Sequence, residues 1–136
     1  MIKIKECVPL ATEWIELRQS AGWKLYDLLS SENALKTTLY GVSVYDNDSI
    51  IGMARVIGDG FTCFYIQDVI VRSVYQGQGI GKQMMTLIMN YIEKYAAKNA
   101  VIGLMSAKGR EGFYEKFGFI RRPNDNLGCG MIKFNF

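Results

Sequence analysis

The sequence predicts an α/β fold (α+β by some schemes): a mixed, mostly antiparallel sheet with one parallel strand pair, flanked by helices. Three observations predict it. The β-rich runs between residues 41 and 71 are separated by Asp46-Asn47-Asp48 and Gly58-Asp59-Gly60, two turn clusters that make an antiparallel meander. The last of these runs, ending at Val71, passes through the glycine-dense stretch Gln76-Gly77-Gln78-Gly79-Ile80-Gly81 into an apolar stripe of helical period. The apolar run Ala100-Val101-Ile102-Gly103-Leu104-Met105 follows that helix, and strand, helix, strand is a crossover that lays the new strand parallel to the earlier one. At 136 residues the chain suits a single domain, 1–136, with one sizeable core.

Taken in order, Met1 to Glu6 alternates apolar and charged residues and reads as a short opening strand. It contains no long apolar run, so a secretory signal is not expected. Thr12 is placed to cap a helix carrying Trp14, Ile15, Leu17 and Arg18, with Gly22 ending it. Ser30-Ser31-Glu32-Asn33 reads as a loop and the cap of a short helix near Ala34 to Thr38. The meander follows. Its third strand, Phe61 to Val71, is long where about 5–6 residues is common, which leaves room for a bend or a bulge. Without a bulge, Tyr65, Gln67, Val69 and Val71 share one face and Ile66, Asp68 and Ile70 the other. Asp68 is out of place among these apolar neighbours. It is either a buried acid with a partner such as Arg72 or Arg55, or a site residue whose pKa is raised.

After the glycine stretch, Ile80, Met84, Leu87, Ile88, Tyr91, Ile92 and Tyr95 form one apolar stripe over more than four turns. Ala107 to Ile120 carries Phe113-Tyr114-Glu115-Lys116-Phe117-Gly118-Phe119, Arg121 to Gly128 reads as a loop, and Met131 to Phe136 alternates as a closing strand.

Composition narrows the function. With 49% hydrophobic and 21% charged residues the chain reads as an ordinary soluble globule. The net charge of +3 comes from scattered residues, too weak for nucleic acid but favourable to an anionic ligand. No run reaches the roughly 20 apolar residues that span a bilayer. Cys7, Cys63 and Cys129 are odd in number and widely spaced, which fits a reducing cytoplasm and buried packing instead of a metal site. The chain has no histidine, which removes imidazole bases, Ser-His and Cys-His triads and histidine metal sites.

The glycine stretch suits a diphosphate, because residues without Cβ let successive N–H groups face one concavity at the positive end of a helix dipole. Spacing decides its kind. A Walker loop needs Gly where Gln76 stands and Ser or Thr where Gln83 stands, and the dinucleotide fingerprint needs Gly or Ala where Lys82 stands. What remains, Gln76-x-x-Gly79-x-Gly81 after an apolar strand, resembles motif A of the GNAT (Gcn5-related N-acetyltransferase) superfamily. Phe113, Tyr114, Lys116, Gly118 and Phe119 resemble that family's C-terminal Phe-Tyr-x-Lys-x-Gly-Phe pattern, and the order of elements agrees from about residue 40 onward. One departure is Ala107, where many relatives carry Asn for a contact to CoA.

The resemblance implies an enzyme that transfers acetyl from acetyl-CoA to a primary amine. By the same resemblance the two parallel strands are expected to splay. Val69, Ile70 and Val71 would then pair with the pantetheine arm, while Gln76, Gly77, Gln78, Gly79, Ile80, Gly81 and Lys82 would hold the diphosphate; for Lys82 a solvated first turn is the other reading. A backbone N–H near Val69 would be the oxyanion donor, and Tyr114 maps onto the family's acid that protonates the departing thiolate, against a purely packing role beside Phe113 and Phe117. For the base, Asp68 comes first and Glu32 and Glu111 after it; a structural role for Asp68 stands beside this. Trp23 and Tyr26 read either as a wall of the acceptor site or as core aromatics. The cysteines have no evident base near them, which favours direct attack in a ternary complex over a covalent intermediate. A small-molecule amine is the expected acceptor, with no metal, nucleic acid or membrane partner. Edge strands leave homodimerisation open. The competing reading is a non-catalytic acyl-CoA sensor.

Overall fold

A computed structural model describes residues 1–136, which form two compact units, Met1–Gly103 and Leu104–Phe136. The first unit holds a five-stranded sheet, β1 (Ile2–Lys5), β2 (Tyr40–Asp46), β3 (Ser49–Gly58), β4 (Cys63–Val71) and β5 (Val101–Gly103), ordered as in the chain. The first three pairings are antiparallel and β4–β5 is parallel, as the crossover requires. No helix is long and apolar enough to cross a membrane.

Helices cover both faces. Helix α3 (Ile80–Tyr95) buries Ile80, Met84, Met85, Ile88 and Ile92 and packs across β2, β3 and β4. A Cβ on Gly52 of β3 would stand 3.7 Å from the sulfur of Met84, so Gly52 faces α3. Its neighbour Met53 therefore faces the other way, into a cluster with Trp14 and Leu17 of α1 (Ala11–Ser20), Leu35 of α2 (Leu28–Lys36), Ile50 and Ile70. Each such buried Leu, Ile or Met side chain stabilises the fold by about 1.5–3 kcal/mol relative to exposure.

The structure departs from several of the sequence expectations. Helix α1 is capped at Leu10, whose N–H donates to Glu13 Oε1 at 2.9 Å, and Thr12 lies inside the helix. A glutamate reaching back to the cap N–H works whatever the cap side chain is. Helix α2 starts well before Ala34, because Asp27 is its cap: Oδ1 accepts the Ser30 N–H at 2.7 Å and Oδ2 the Ser30 hydroxyl at 2.9 Å. Cys7, Cys63 and Cys129 are exposed, not buried packing. In the second unit, helix α4 (Glu111–Glu115) forms, but residues 131–136 make no strand. Alternation gives a segment two faces; a strand also needs a neighbour to bond, and the unit 104–136 contains no other.

The turn between β3 and β4 hangs on Asp59. Its Oδ1 accepts the N–H groups of Phe61, Thr62 and Cys63 at 2.8, 2.8 and 3.1 Å. The Thr62 hydroxyl, the largest influence, and these N–H groups hold the carboxyl well below its usual range. A depressed pKa stabilises the fold above the unfolded value of 3.8 and stops doing so as pH falls through the folded one. Asp59→Asn keeps an acceptor oxygen but cannot titrate. Its melting temperature is therefore expected to fall less between about pH 5 and pH 2 than that of the parent chain, in paired thermal melts.

Candidate active site

The glycine stretch is held at both ends. Arg72 donates its backbone N–H to Ile51 at 2.8 Å and its Nε to the Ile50 carbonyl at 2.9 Å, and pairs with Glu16 at 3.3 Å. A single 3-10 turn follows over Ser73–Tyr75, and the Tyr75 hydroxyl donates to Asp46 at 2.5 Å. Gly77 and Gly79 then adopt φ of +81° and +82°, and a Cβ at either would meet nothing within 4 Å. The requirement for glycine here is conformational, not steric crowding. Gly79 is the N-cap of α3, makes no side-chain cap bond, and is followed by no acidic residue in the first turn. The first N–H groups of α3, from Ile80, Gly81 and Lys82, have no acceptor within the helix. Gln76, Gly77, Gln78, Gly79 and Lys82 are exposed, Ile80 is buried beneath them, and Gly81 is already helical. An array of N–H donors with a lysine and no carboxylate fits an anion such as a diphosphate.

The strand leading into this loop has an open edge. β5 pairs only with Cys63, Phe64 and Tyr65, so from Ile66 to Val71 β4 has a strand partner on one flank only. Arg72 bonds toward β3, so alternation turns the main chain of Val71 outward, and the Val71 carbonyl accepts from Gln76 Nε2 there at 2.9 Å. An extended ligand arm can add to such an edge.

Asp68 lies in the middle of that strand. It has φ of +60°, and two residues, Asp68 and Val69, stand opposite Ala54, because the ladder runs from Gln67↔Arg55 directly to Ile70↔Met53. This is a β-bulge, and it resets the faces: Ile66 pairs with Val56 on one side of the sheet while Ile70 pairs with Met53 on the other. Ile66, Asp68 and Ile70 therefore do not share a face. Burial alternates along the strand all the same, with Phe64, Ile66, Asp68 and Ile70 buried.

The Asp68 side chain is buried and fully engaged. Arg18 Nη1 donates to Oδ1, while Arg55 Nε and Trp14 Nε1 donate to Oδ2 at 2.9 and 3.0 Å. Of the two partners anticipated, Arg55 is present and Arg72 is engaged elsewhere. Arg18 and Trp14 were missed, although their spacing of four on a helix with an otherwise apolar face is the signal of a buried charge awaiting a counter-ion. Arg18 continues to the Lys24 carbonyl at 2.9 Å and lies 5.5 Å from the ring of Trp23 and 4.8 Å from that of Tyr26. Trp23 is half-buried against the core, whereas Tyr26 stacks on Trp14 at 5.7 Å between ring centroids and is 48% exposed.

A family profile described as an acetyltransferase (GNAT) domain matches residues 23–132. The chain belongs to the GNAT acetyltransferases. An uncharacterised N-acetyltransferase of Prochlorococcus marinus is 31% identical to this GNAT protein over 115 residues, which is 82% of this chain and 63% of that one. A chloroplastic GCN5-related N-acetyltransferase of Arabidopsis thaliana is 29% identical over 84% of this chain and 58% of its own length. The chain thus spans about two thirds or less of these curated relatives. Among solved structures, a protein of unknown function from meticillin-resistant Staphylococcus aureus superposes with a TM-score of 0.89 at 35% identity, covering 98% of this chain and all of that one. A GNAT-family acetyltransferase of Streptococcus pneumoniae gives 0.81 at 29% identity, over 99% and 98%.

In the second unit of the GNAT chain, Tyr114 is half-buried on α4, 5.1 Å from Phe113 and 6.3 Å from Phe119 by ring centroids. Burial pushes its phenol up from 10.0, with Arg110 pulling slightly the other way. Glu111 is drawn to backbone N–H groups, Gly109 among them at 3.1 Å, which hold its carboxyl down, and Glu32 is exposed.

Proposed function

We propose that the chain is an acetyl-CoA-dependent N-acetyltransferase that acts on a primary amine of a small molecule by direct attack in a ternary complex. The observation that carries this reading is the left-handed pair Gly77 and Gly79 running into the uncapped start of α3 beside the open edge of β4. The main-chain amides from Gln76 to Gly81, with Lys82, hold the diphosphate, and Val69, Ile70 and Val71 pair with the pantetheine arm. Acetyl-CoA brings the acetyl group as an activated thioester. The amine nitrogen bonds to the carbonyl carbon, the carbon–sulfur bond breaks, and Tyr114 gives the proton to the departing thiolate. A phenol kept protonated by burial supports that role.

Asp68 takes a structural part in this reading, because both its oxygens are already occupied by N–H donors. The proton lost by the amine passes to solvent. Tyr26, with Trp23 behind it, forms the acceptor wall, joined to β4 through Arg18.

The test is the cofactor loop. Gly79→Val forces a β-branched residue to a φ of +82°, at a position where an added Cβ meets nothing within 4 Å, a strain of about 1–2 kcal/mol. Relief of that strain turns the amides away from the ligand. Calorimetry is expected to show acetyl-CoA affinity reduced by about 10-fold or more, with the melting temperature lowered by only a few degrees. Unchanged affinity overturns the loop assignment. Thiol release that requires an added amine separates an enzyme from a sensor that binds acyl-CoA without turnover.

A further inference from the structure

The buried ionic cluster around Asp68 is far more elaborate than packing between a helix and a sheet needs. One carboxylate in a left-handed backbone conformation receives three N–H donors from two elements, Trp14 and Arg18 on α1 and Arg55 on β3. Arg55 also reaches Thr38 Oγ1 at 3.3 Å, and Arg18 the Lys24 carbonyl. Every buried side-chain nitrogen and oxygen in the protein has a partner. What the cluster holds in place is the bulge, since Asp68 is one of the two residues that stand opposite Ala54.

That bulge decides which main-chain groups the strand presents. The outward-facing carbonyl of Val71 and the Ile70↔Met53 pairing fix the alternation beyond it, so Val69, two residues before Val71, turns its N–H to the same open flank. Absorbing the extra residue slips everything on one side of it by one position, and a slip of one reverses every N–H and C=O. A non-glycine residue in the left-handed region, even Asp, needs its surroundings to hold it there.

We propose that Asp68 is a positioning residue: clamped by Arg18, Arg55 and Trp14, it maintains the bulge that turns the Val69 and Val71 main chain to the open flank of β4, where the thioester arm binds. Asp68 itself exchanges no proton with substrate. Because Arg18 also lies against Trp23 and Tyr26, the same carboxylate aligns the acceptor wall with the strand that holds the thioester. This rests on the acetyl-CoA reading above.

Two ligands separate the possibilities. ADP presents a diphosphate and no pantetheine arm, so it probes the glycine loop alone; acetyl-CoA probes loop and strand edge together. By calorimetry, the parent chain is expected to bind acetyl-CoA more tightly than ADP. In Asp68→Ala that advantage is expected to fall by about 10-fold or more, with ADP affinity unchanged and kcat reduced. Asp68→Asn, which keeps the shape, an acceptor oxygen and tolerance of positive φ, restores most of the advantage. A purely structural role lowers the melting temperature and leaves the ratio of the two affinities intact, and that result overturns the proposal. If Asp68→Ala does not fold, the parent chain gives the answer by NMR: the Val69 and Val71 amide signals shift on saturation with acetyl-CoA and not with ADP, and unmoved signals overturn it. A parent chain that binds neither ligand removes the acetyl-CoA reading and this proposal with it, whereas ADP binding with an intact ratio in folded Asp68→Ala removes the proposal alone.

Discussion

Tyr114→Phe is expected to lower turnover at least about 10-fold while acetyl-CoA affinity stays nearly unchanged, since general acid catalysis contributes about 10²–10⁴-fold where it operates. The variant deletes one oxygen and keeps the ring, so the edge-on contacts with Phe113 and Phe119 persist and the fold is retained. Burial favours the neutral phenol and raises its pKa from 10.0, so the proton is in place across the whole neutral range. A thiolate whose conjugate acid lies near about 8.5 is a weaker base than the phenolate, so the proton moves as carbon–sulfur cleavage builds charge on sulfur, and solvent then reprotonates the phenolate. Turnover in the parent chain is expected to decline on the alkaline side only above about pH 10, and that decline disappears in the variant. Thiol release measured against pH reads both quantities, and equal turnover in the two proteins takes Tyr114 out of the mechanism.

Asp68→Ala is expected to be the most destabilising single substitution, costing about 3–5 kcal/mol, the usual loss when one partner of a buried ion pair is removed. The side chains of Arg18, Arg55 and Asp68 are 6%, 9% and 0% exposed, so water cannot screen the two guanidinium groups that would be left facing each other. The alanine would also occupy a left-handed position that aspartate tolerates better. A domain of this size has about 5–15 kcal/mol in all, so the loss is a large share. Urea unfolding at neutral pH measures it. A loss under about 1 kcal/mol, as for an exposed pair, contradicts the buried cluster. Replacing Arg18 and Arg55 by Met together with Asp68→Leu is expected to recover part of the loss, because a buried ion set exchanged for apolar side chains is often neutral, while the left-handed strain at position 68 and the unpaired Trp14 Nε1–H remain. Such a protein separates stability from positioning, since it regains part of the first without the clamp.

Local chemistry made much of this protein legible from residue order alone. The hairpin at Asp46-Asn47-Asp48, the glycine-dense turn before α3 and the stripe of α3 each depend on residues within a few positions of one another, so spacing and backbone preference suffice. The Phe-Tyr pattern around Tyr114 was legible only through the family resemblance. Where local reading erred, a competing local bond decided: Asp27 captured Ser30 and started α2 early, and Glu13 capped Leu10 in place of Thr12.

Only the tertiary structure decided the fate of Asp68. Its partners Trp14 and Arg18 lie 54 and 50 positions away in the chain, and nothing in residue order says that helix α1 would bring two N–H donors to that carboxylate and so give it an anchoring role. The closing segment makes the same point in reverse: Met131 to Phe136 has the alternation of a strand, but a ladder is a property of two chain segments and the pattern specifies only one. Spacing along the chain determines which backbone shapes are cheap; which charges meet, and which strand edges stay open, depend on contacts between residues far apart in it.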